Sequence, residues 1–134
     1  MLYNTRLDKQ IVLKVSNHVG VLHDIAKTVA EKGINLLAIK GAGHGDNAYI
    51  HLLTEDNERA ADALRKNDYK PELEQVVVVT LGNRPGVLEK ITERLAKADI
   101  NLEHIHATAD IRHETCEIVL STSDNQRAVL ELGA

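Results

Sequence analysis

Residues 11–16, Ile-Val-Leu-Lys-Val-Ser, are mostly β-branched and apolar, and so are residues 76–81, Val-Val-Val-Val-Thr-Leu; both read as strands. After each, apolar positions recur at helical spacing: Val21, Leu22, Ile25 and Val29 within 19–32, then Val87, Leu88, Ile91 and Leu95. Gly33 is the expected stop of the first helix. Asp99 stands in the equivalent place and takes a left-handed backbone less easily. Strands are expected at about 34–40 and 48–54, and again at about 100–107 and 115–121. Asp56 and Asp124 have the chemistry of N-caps, each opening a short helix with an apolar face: Ala60, Ala61 and Leu64, or Ala128, Val129 and Leu132. A segment near 69–74 leads into the second half, and its Pro71 suits only an edge strand.

The two halves are copies. With the sequence displaced by 66 positions, Val12 meets Val78, Asn17 meets Asn83, Gly20-Val21-Leu22 meets Gly86-Val87-Leu88, and Ile25 meets Ile91. Ala30 meets Ala96, Ile34-Asn35-Leu36 meets Ile100-Asn101-Leu102, and Ile39 meets Ile105. Further on the displacement becomes 68, where Asp56-Asn57 meets Asp124-Asn125 and Arg59-Ala60 meets Arg127-Ala128. A tandem duplication with two extra residues between Ile105 and Asp124 follows. Each copy has the order strand-helix-strand-strand-helix-strand, the split unit of the ferredoxin-like folds. The expected class is therefore α+β, two tandem ferredoxin-like βαββαβ units over residues 1–74 and 75–134. The sequence ends at Ala134, before the last strand of the second unit. Either it is cut short, or residues 2–9 or another chain cover that edge. An uncovered edge invites pairing, so a homo-oligomer, a dimer, is expected.

Composition narrows the class. The chain has 134 residues, 43% hydrophobic and 27% charged, and is large enough to fold without disulfides or metal. The lone Cys116 cannot form an internal bridge, which fits a reducing, cytoplasmic setting. There is no signal-peptide pattern at Met1 to Arg6 and no apolar run long enough to span a membrane. Sixteen Lys and Arg against twenty Asp and Glu give a net charge of −4, with no basic cluster, and three Tyr without Phe or Trp offer no stacking platform. Nucleic acid is not an expected partner.

The best-matched stretch outside the core is the turn from first strand to first helix, Asn17-His18-Val19-Gly20 and Asn83-Arg84-Pro85-Gly86, together with Asn35 and Asn101 before the second strand. A helix N-terminus leaves backbone N–H groups and a partial positive charge directed outward, which suits an anion. Gly20 and Gly86 let a ligand approach the backbone, and Pro85 suits the first helical turn. Asparagine offers donors and acceptors together, suited to a ligand with both carboxylate and ammonium groups. His18, inside the loop, could reach a ligand carboxylate. Asn and Gly also cap helices where nothing binds.

Two tandem units of this kind, with Asn-Arg-Pro-Gly-Val-Leu opening the helix and Ile-Asn-Leu opening the second strand, resemble a tandem ACT-domain protein from about residue 10 onward. The resemblance implies a regulatory module that binds a small effector, most often an amino acid, at an interface between two such domains, and that acts on a metabolic enzyme. It also implies that the ligand contacts are Asn83, Arg84, Pro85, Gly86, Val87 and Asn101, with Asn17, Gly20 and Asn35 as their counterparts. Repeat one departs from the pattern by carrying Val19 where repeat two has Pro85.

Other chemistry is sparser. His104 and His106 are two apart on a predicted strand, and a hairpin turning near 110–112 would set Cys116 opposite His106. A His-x-His plus Cys group suits nickel or zinc, so a metal-responsive ACT-like regulator is one alternative, and a ligand-free dimerisation or interaction module is another. Gly41-Ala42-Gly43-His44-Gly45 lies between two strands, so it reads as a flexible hairpin turn, not a phosphate loop. No nucleophile triad, carboxylate pair or P-loop is recognisable; the expectation is a non-enzymatic regulator without a cofactor.

Overall fold

A computed structural model describes residues 2–110 and 112–133. The elements follow in the order β1 (Leu2–Ser16), α1 (Val21–Ala30), β2 (Leu36–His44), β3 (Asn47–Thr54), α2 (Asn57–Lys66), β4 (Glu72–Gly82), α3 (Val87–Lys97), β5 (Leu102–Asp110), β6 (Thr115–Thr122) and α4 (Asn125–Gly133). They make two tandem ferredoxin-like units. One compact unit is Lys9–Glu74; the other joins the stretch up to Asp8 to the stretch from Gln75 onward.

In the first unit β3 lies between β2 and β1. Antiparallel register sets Ile11 against Leu52 and Ser16 against Asn47, and β2 returns along β3 from Leu36 against Thr54 to His44 against Asn47. The alternate residues Ile11, Leu13, Ile50 and Leu52 face Ile25 and Val29 of α1 and Ala60, Ala61 and Leu64 of α2 in one buried cluster. Two periodicities, two on the strands and 3.6 on the helices, thus converge on one layer. Each large side chain so buried contributes roughly 1.5–3 kcal/mol.

The second unit repeats the arrangement, with Val77, Val79, Leu81, Ile118 and Leu120 against Ile91, Leu95, Ala128 and Leu132. The place of a last strand in this unit is taken by residues from near the start of the sequence. The residues of β1 up to Asp8 group with this unit, β1 being the neighbour of β4 on the side away from β6. Arg6 reaches Glu117 of β6 at 3.5 Å, and Thr5 lies beside Gly133. Of the covers considered for that edge, residues 2–8 are the one found. β4 likewise starts at Glu72, not 76, and Pro71 stands just before it, not within an edge strand.

The two extra residues of repeat two lie in the β5–β6 connection, residues 111–114, where the β2–β3 turn needs only Gly45 and Asp46. Gly33 and Asp99 both hold left-handed backbones after their helices, at φ 69 and 59. The matched segment from Asp56 is a structural clamp. Asp56 accepts from the Arg59 N–H at 3.2 Å, and Asp124 from Arg127 at 3.1 Å, as N-caps. The Asn57 Oδ1 takes both the N–H and the Oγ1–H of Thr54, and its amide donates to the Lys9 carbonyl. Asn125 does the same with Thr122 and with the Gln75 carbonyl. That motif joins the second helix of each unit to the strand before it and to the first strand.

Candidate functional site

The strand-to-helix turns are built alike. Val21 donates its N–H to the His18 carbonyl and Val87 to the Arg84 carbonyl, both at 3.3 Å. The third residues of these turns, Gly20 and Gly86, have φ, ψ of 89, 0 and 87, −4. Those are the angles of the third position of a type II turn, whose second position favours proline, as at Pro85. Pro85 therefore belongs to the turn and not to the first helical turn, since α3 begins at Val87. Each glycine is also the N-cap residue and supplies no side-chain bond to the helix, so the first turns of α1 and α3 are not closed by a side chain. A Cβ at either glycine would meet nothing within 4 Å, so glycine is present for its backbone angle, with open space above it.

Asn17, His18, Val19, Gly20, Asn83, Arg84, Pro85 and Gly86 are all exposed, Val19 completely so at 101%, while Val87 is half-buried against the second core. The structure brings each loop together with the hairpin at the same end of its sheet. The backbone N–H of Asn17 donates to Asp46 at 2.8 Å, and that of Asn83 to Glu114 at 2.7 Å. Within a unit it does not bring Asn35 or Asn101 to the same place. Asn35 exchanges bonds with Glu55, and Asn101 with Ser123, at the far end of the second strand pair. From Asn47 to Thr54 that is roughly 23 Å along β3. Asn83 and Asn101 of one unit cannot hold one small molecule between them.

Sequence reading missed the contact between the first loop and its hairpin. The Asn17 amide donates to the Gly45 carbonyl at 3.0 Å and rests over Gly43. Gly41 to His44 are strand residues, and of that glycine-rich run only Gly45, at φ 62, is in the turn. The signal was the glycine at 43 in a strand, which marks a close approach.

The metal alternative loses its geometry. Cys116 pairs with Ala109, and His106 pairs with Val119. By strand alternation Cys116 points to the helix-covered face, where it packs on the second core, while His104 and His106 point to the other face. The expected pairing assumed a shorter turn than residues 111–114 make, and residue 111 lies outside the described residues. Burial pushes the Cys116 thiol up, away from the thiolate a metal needs. Among the described residues no three His, Cys, Asp or Glu side chains gather to hold an ion.

Other features are modest. His51 is buried and its Nδ1 lies 3.2 Å from the Gln10 amide, so it is a sheet residue. His44 stacks edge-on to Tyr49, 5.8 Å between centroids. Among the described residues no helix is long and apolar enough to cross a membrane.

Similar folds are known. A protein of Bacteroides thetaiotaomicron is similar at 23% identity over 96% of this chain and 88% of its own, with a TM-score of 0.89. The ligand-free regulatory subunit of aspartate kinase from Thermus thermophilus is similar at 17% identity over 98% and 96%, with a TM-score of 0.70. Aspartokinase III of E. coli, in complex with lysine and aspartate, is similar at 17% identity over 98% of this chain and 32% of its own, with a TM-score of 0.57. No curated protein sequence matches significantly. These likenesses concern the fold. The sequence model of the ACT domain matches residues 9–66 and again 75–133, and the chain belongs to the ACT-domain family.

Proposed function

We propose that the protein is a regulatory sensor that binds a free amino acid at the strand-to-helix loop of an ACT unit, and that it is not an enzyme. The observation that carries this is the pair of glycine N-caps, Gly20 and Gly86, each with open space above it and a helix N-terminus left uncapped by a side chain. An α-carboxylate suits the N–H groups of such a helix start, and the ammonium group suits the carbonyl of an asparagine amide. Because Asn83 and Asn101 are at opposite ends of their unit, a site using both takes Asn101 from a neighbouring ACT unit, and this makes the reading an interface one. The fully exposed Val19, with Leu22 and Leu88 about half exposed, fits a surface that a neighbour covers. Binding across such a contact favours the assembled arrangement by the difference in affinity, which is how the module would act on a partner enzyme. A homodimer in the cytoplasm is part of the same proposal.

The test is thermal unfolding of the whole chain against the proteinogenic amino acids, lysine and aspartate included, with nickel and zinc alongside. At 100 times its Kd a ligand adds about 2.7 kcal/mol, a shift of several degrees for a chain this size. A shift with one amino acid or a few related ones supports the sensor. A shift with metal alone, or none at all, overturns it in favour of a metal-responsive or a ligand-free interaction module.

A further inference from the structure

The two loops have the same backbone but hold their asparagines differently. The backbone bonds from Asn17 to Asp46 and from Asn83 to Glu114 make the two asparagines equivalent. Strand register makes Gly43 and Ala109 equivalent as well, since Gly43 pairs with Ala48 and Ala109 with Cys116 at corresponding places beside the turn. In the first unit the Asn17 amide lies close over Gly43. A Cβ there would come within 2.7 Å of Nδ2 and 3.3 Å of Cγ. The amide is then fixed by donating to Gly45, in a turn two residues long. In the second unit a methyl group stands at that position, on Ala109, and the turn is two residues longer. The Asn83 side chain makes no hydrogen bond among the described residues.

We propose that the two loops are unequal sites: Ala109 and the longer turn leave Asn83 turned outward to take the polar head of the ligand, whereas Gly43 and Gly45 latch Asn17 inward as a structural residue. The proposal rests on the amino-acid reading above and narrows it to one binding loop per chain, Asn83 to Gly86. Gly43 and Ala109 become the residues that decide which loop binds, although neither touches the ligand. Repeat one also lacks the proline that pre-sets its turn, having Val19 instead, which agrees with a loop under weaker demands for a fixed binding geometry.

Two measurements test it. The first is isothermal titration of the whole chain with the amino acid that raises its melting temperature most. It should give one equivalent per chain, weakened about tenfold or more by Asn83→Ala and less than about twofold by Asn17→Ala. Two equivalents, or equal losses from both variants, overturn the inequality and leave the amino-acid reading standing. If no amino acid binds, the reading itself is overturned and one binding loop per chain with it. The second needs no ligand: in nuclear magnetic resonance the Asn17 side-chain amide protons should exchange with water more slowly than those of Asn83, and Gly43→Ala should remove the difference. Equal exchange in the unmodified chain overturns the latch.

Discussion

Arg127 donates from its guanidinium to the backbone carbonyl of Ala98, 3.0 Å away, the C-cap residue just past α3. Arg59 makes the same bond to the Lys32 carbonyl past the end of α1, also at 3.0 Å. Carbonyls at a helix end have no intrahelical donor, and a cation there also meets the negative end of the helix dipole. The Arg-Ala pair shared by the repeats is thus a tie from the second helix of each unit to the first. Arg127→Ala and Arg59→Ala should each lower stability by about 1 kcal/mol in urea unfolding, with the slope against denaturant unchanged. A loss under a few tenths would mean that water replaces the tie.

Asn125 holds more. Its Oδ1 accepts from the Thr122 N–H at 2.9 Å and from the Thr122 hydroxyl at 2.8 Å, and its amide donates to Gln75 at 3.0 Å. Asn125→Ala should cost about 2–3 kcal/mol, because two donors of the buried Thr122 and a carbonyl lose their partner together. Asn125→Asp keeps the acceptor and loses the donor, so it should cost less. Equal effects of the two would place the stability in the Gln75 bond alone.

Gly86 separates strain from contact. At φ 87 any side chain is strained, yet a Cβ would meet open space. Gly86→Ala should therefore cost about 1–2 kcal/mol through the backbone, and Gly86→Asn less, since asparagine visits the left-handed region more readily. Differential scanning calorimetry decides this, and a larger loss from Asn than from Ala would contradict the backbone account.

The tip of the second hairpin carries a titrating pair. His113 Nδ1 lies 2.5 Å from Asp110 Oδ2. The hydrogen bond, and next the charge, of Asp110 raise the His113 imidazole above its ordinary 6.5, while the bond from His113 chiefly lowers the Asp110 carboxyl below its ordinary 3.8. The raised histidine contributes stability that is full below 6.5 and fades as pH rises through its folded value. The lowered aspartate contributes stability that is full above 3.8 and fades as pH falls through its folded value. The tie is therefore complete between those limits, and as both groups are exposed its effect belongs to the hairpin tip, not to global stability. A proton titration should find His113 above 6.5 and returning to it in Asp110→Asn; no change in that variant would remove the pairing.

Much of this was legible in the amino-acid pattern, and the gaps have physical causes. The duplication gave the order of elements, and the N-caps Asp56 and Asp124 announced themselves because capping is local chemistry. Residues 2–9 stood only as one possible cover of an open edge, not as a strand in their own right, because Asn4, Thr5, Arg6, Asp8 and Lys9 show no alternation. Pro85 was misplaced by one element because proline serves a type II turn and a first helical turn equally well. Cys116 was set against the wrong partner because a change in hairpin length shifts register and exchanges faces. As for the two loop asparagines, Asn17 and Asn83 look identical in sequence; their surroundings differ by a glycine at 43 against Ala109 and by two residues in the turn.

The strand that begins at Leu2 has a consequence for the order in which the chain is made. Its residues up to Asp8 belong with partners such as Glu117, more than a hundred positions later, so they leave the ribosome long before the surface that receives them exists. Lys9–Glu74 can close first, and the leading segment must wait for the last hairpin and helix to be synthesised. Contacts so far apart are slow to form, so the pairing of residues 2–8 with the second unit should follow the closure of Lys9–Glu74.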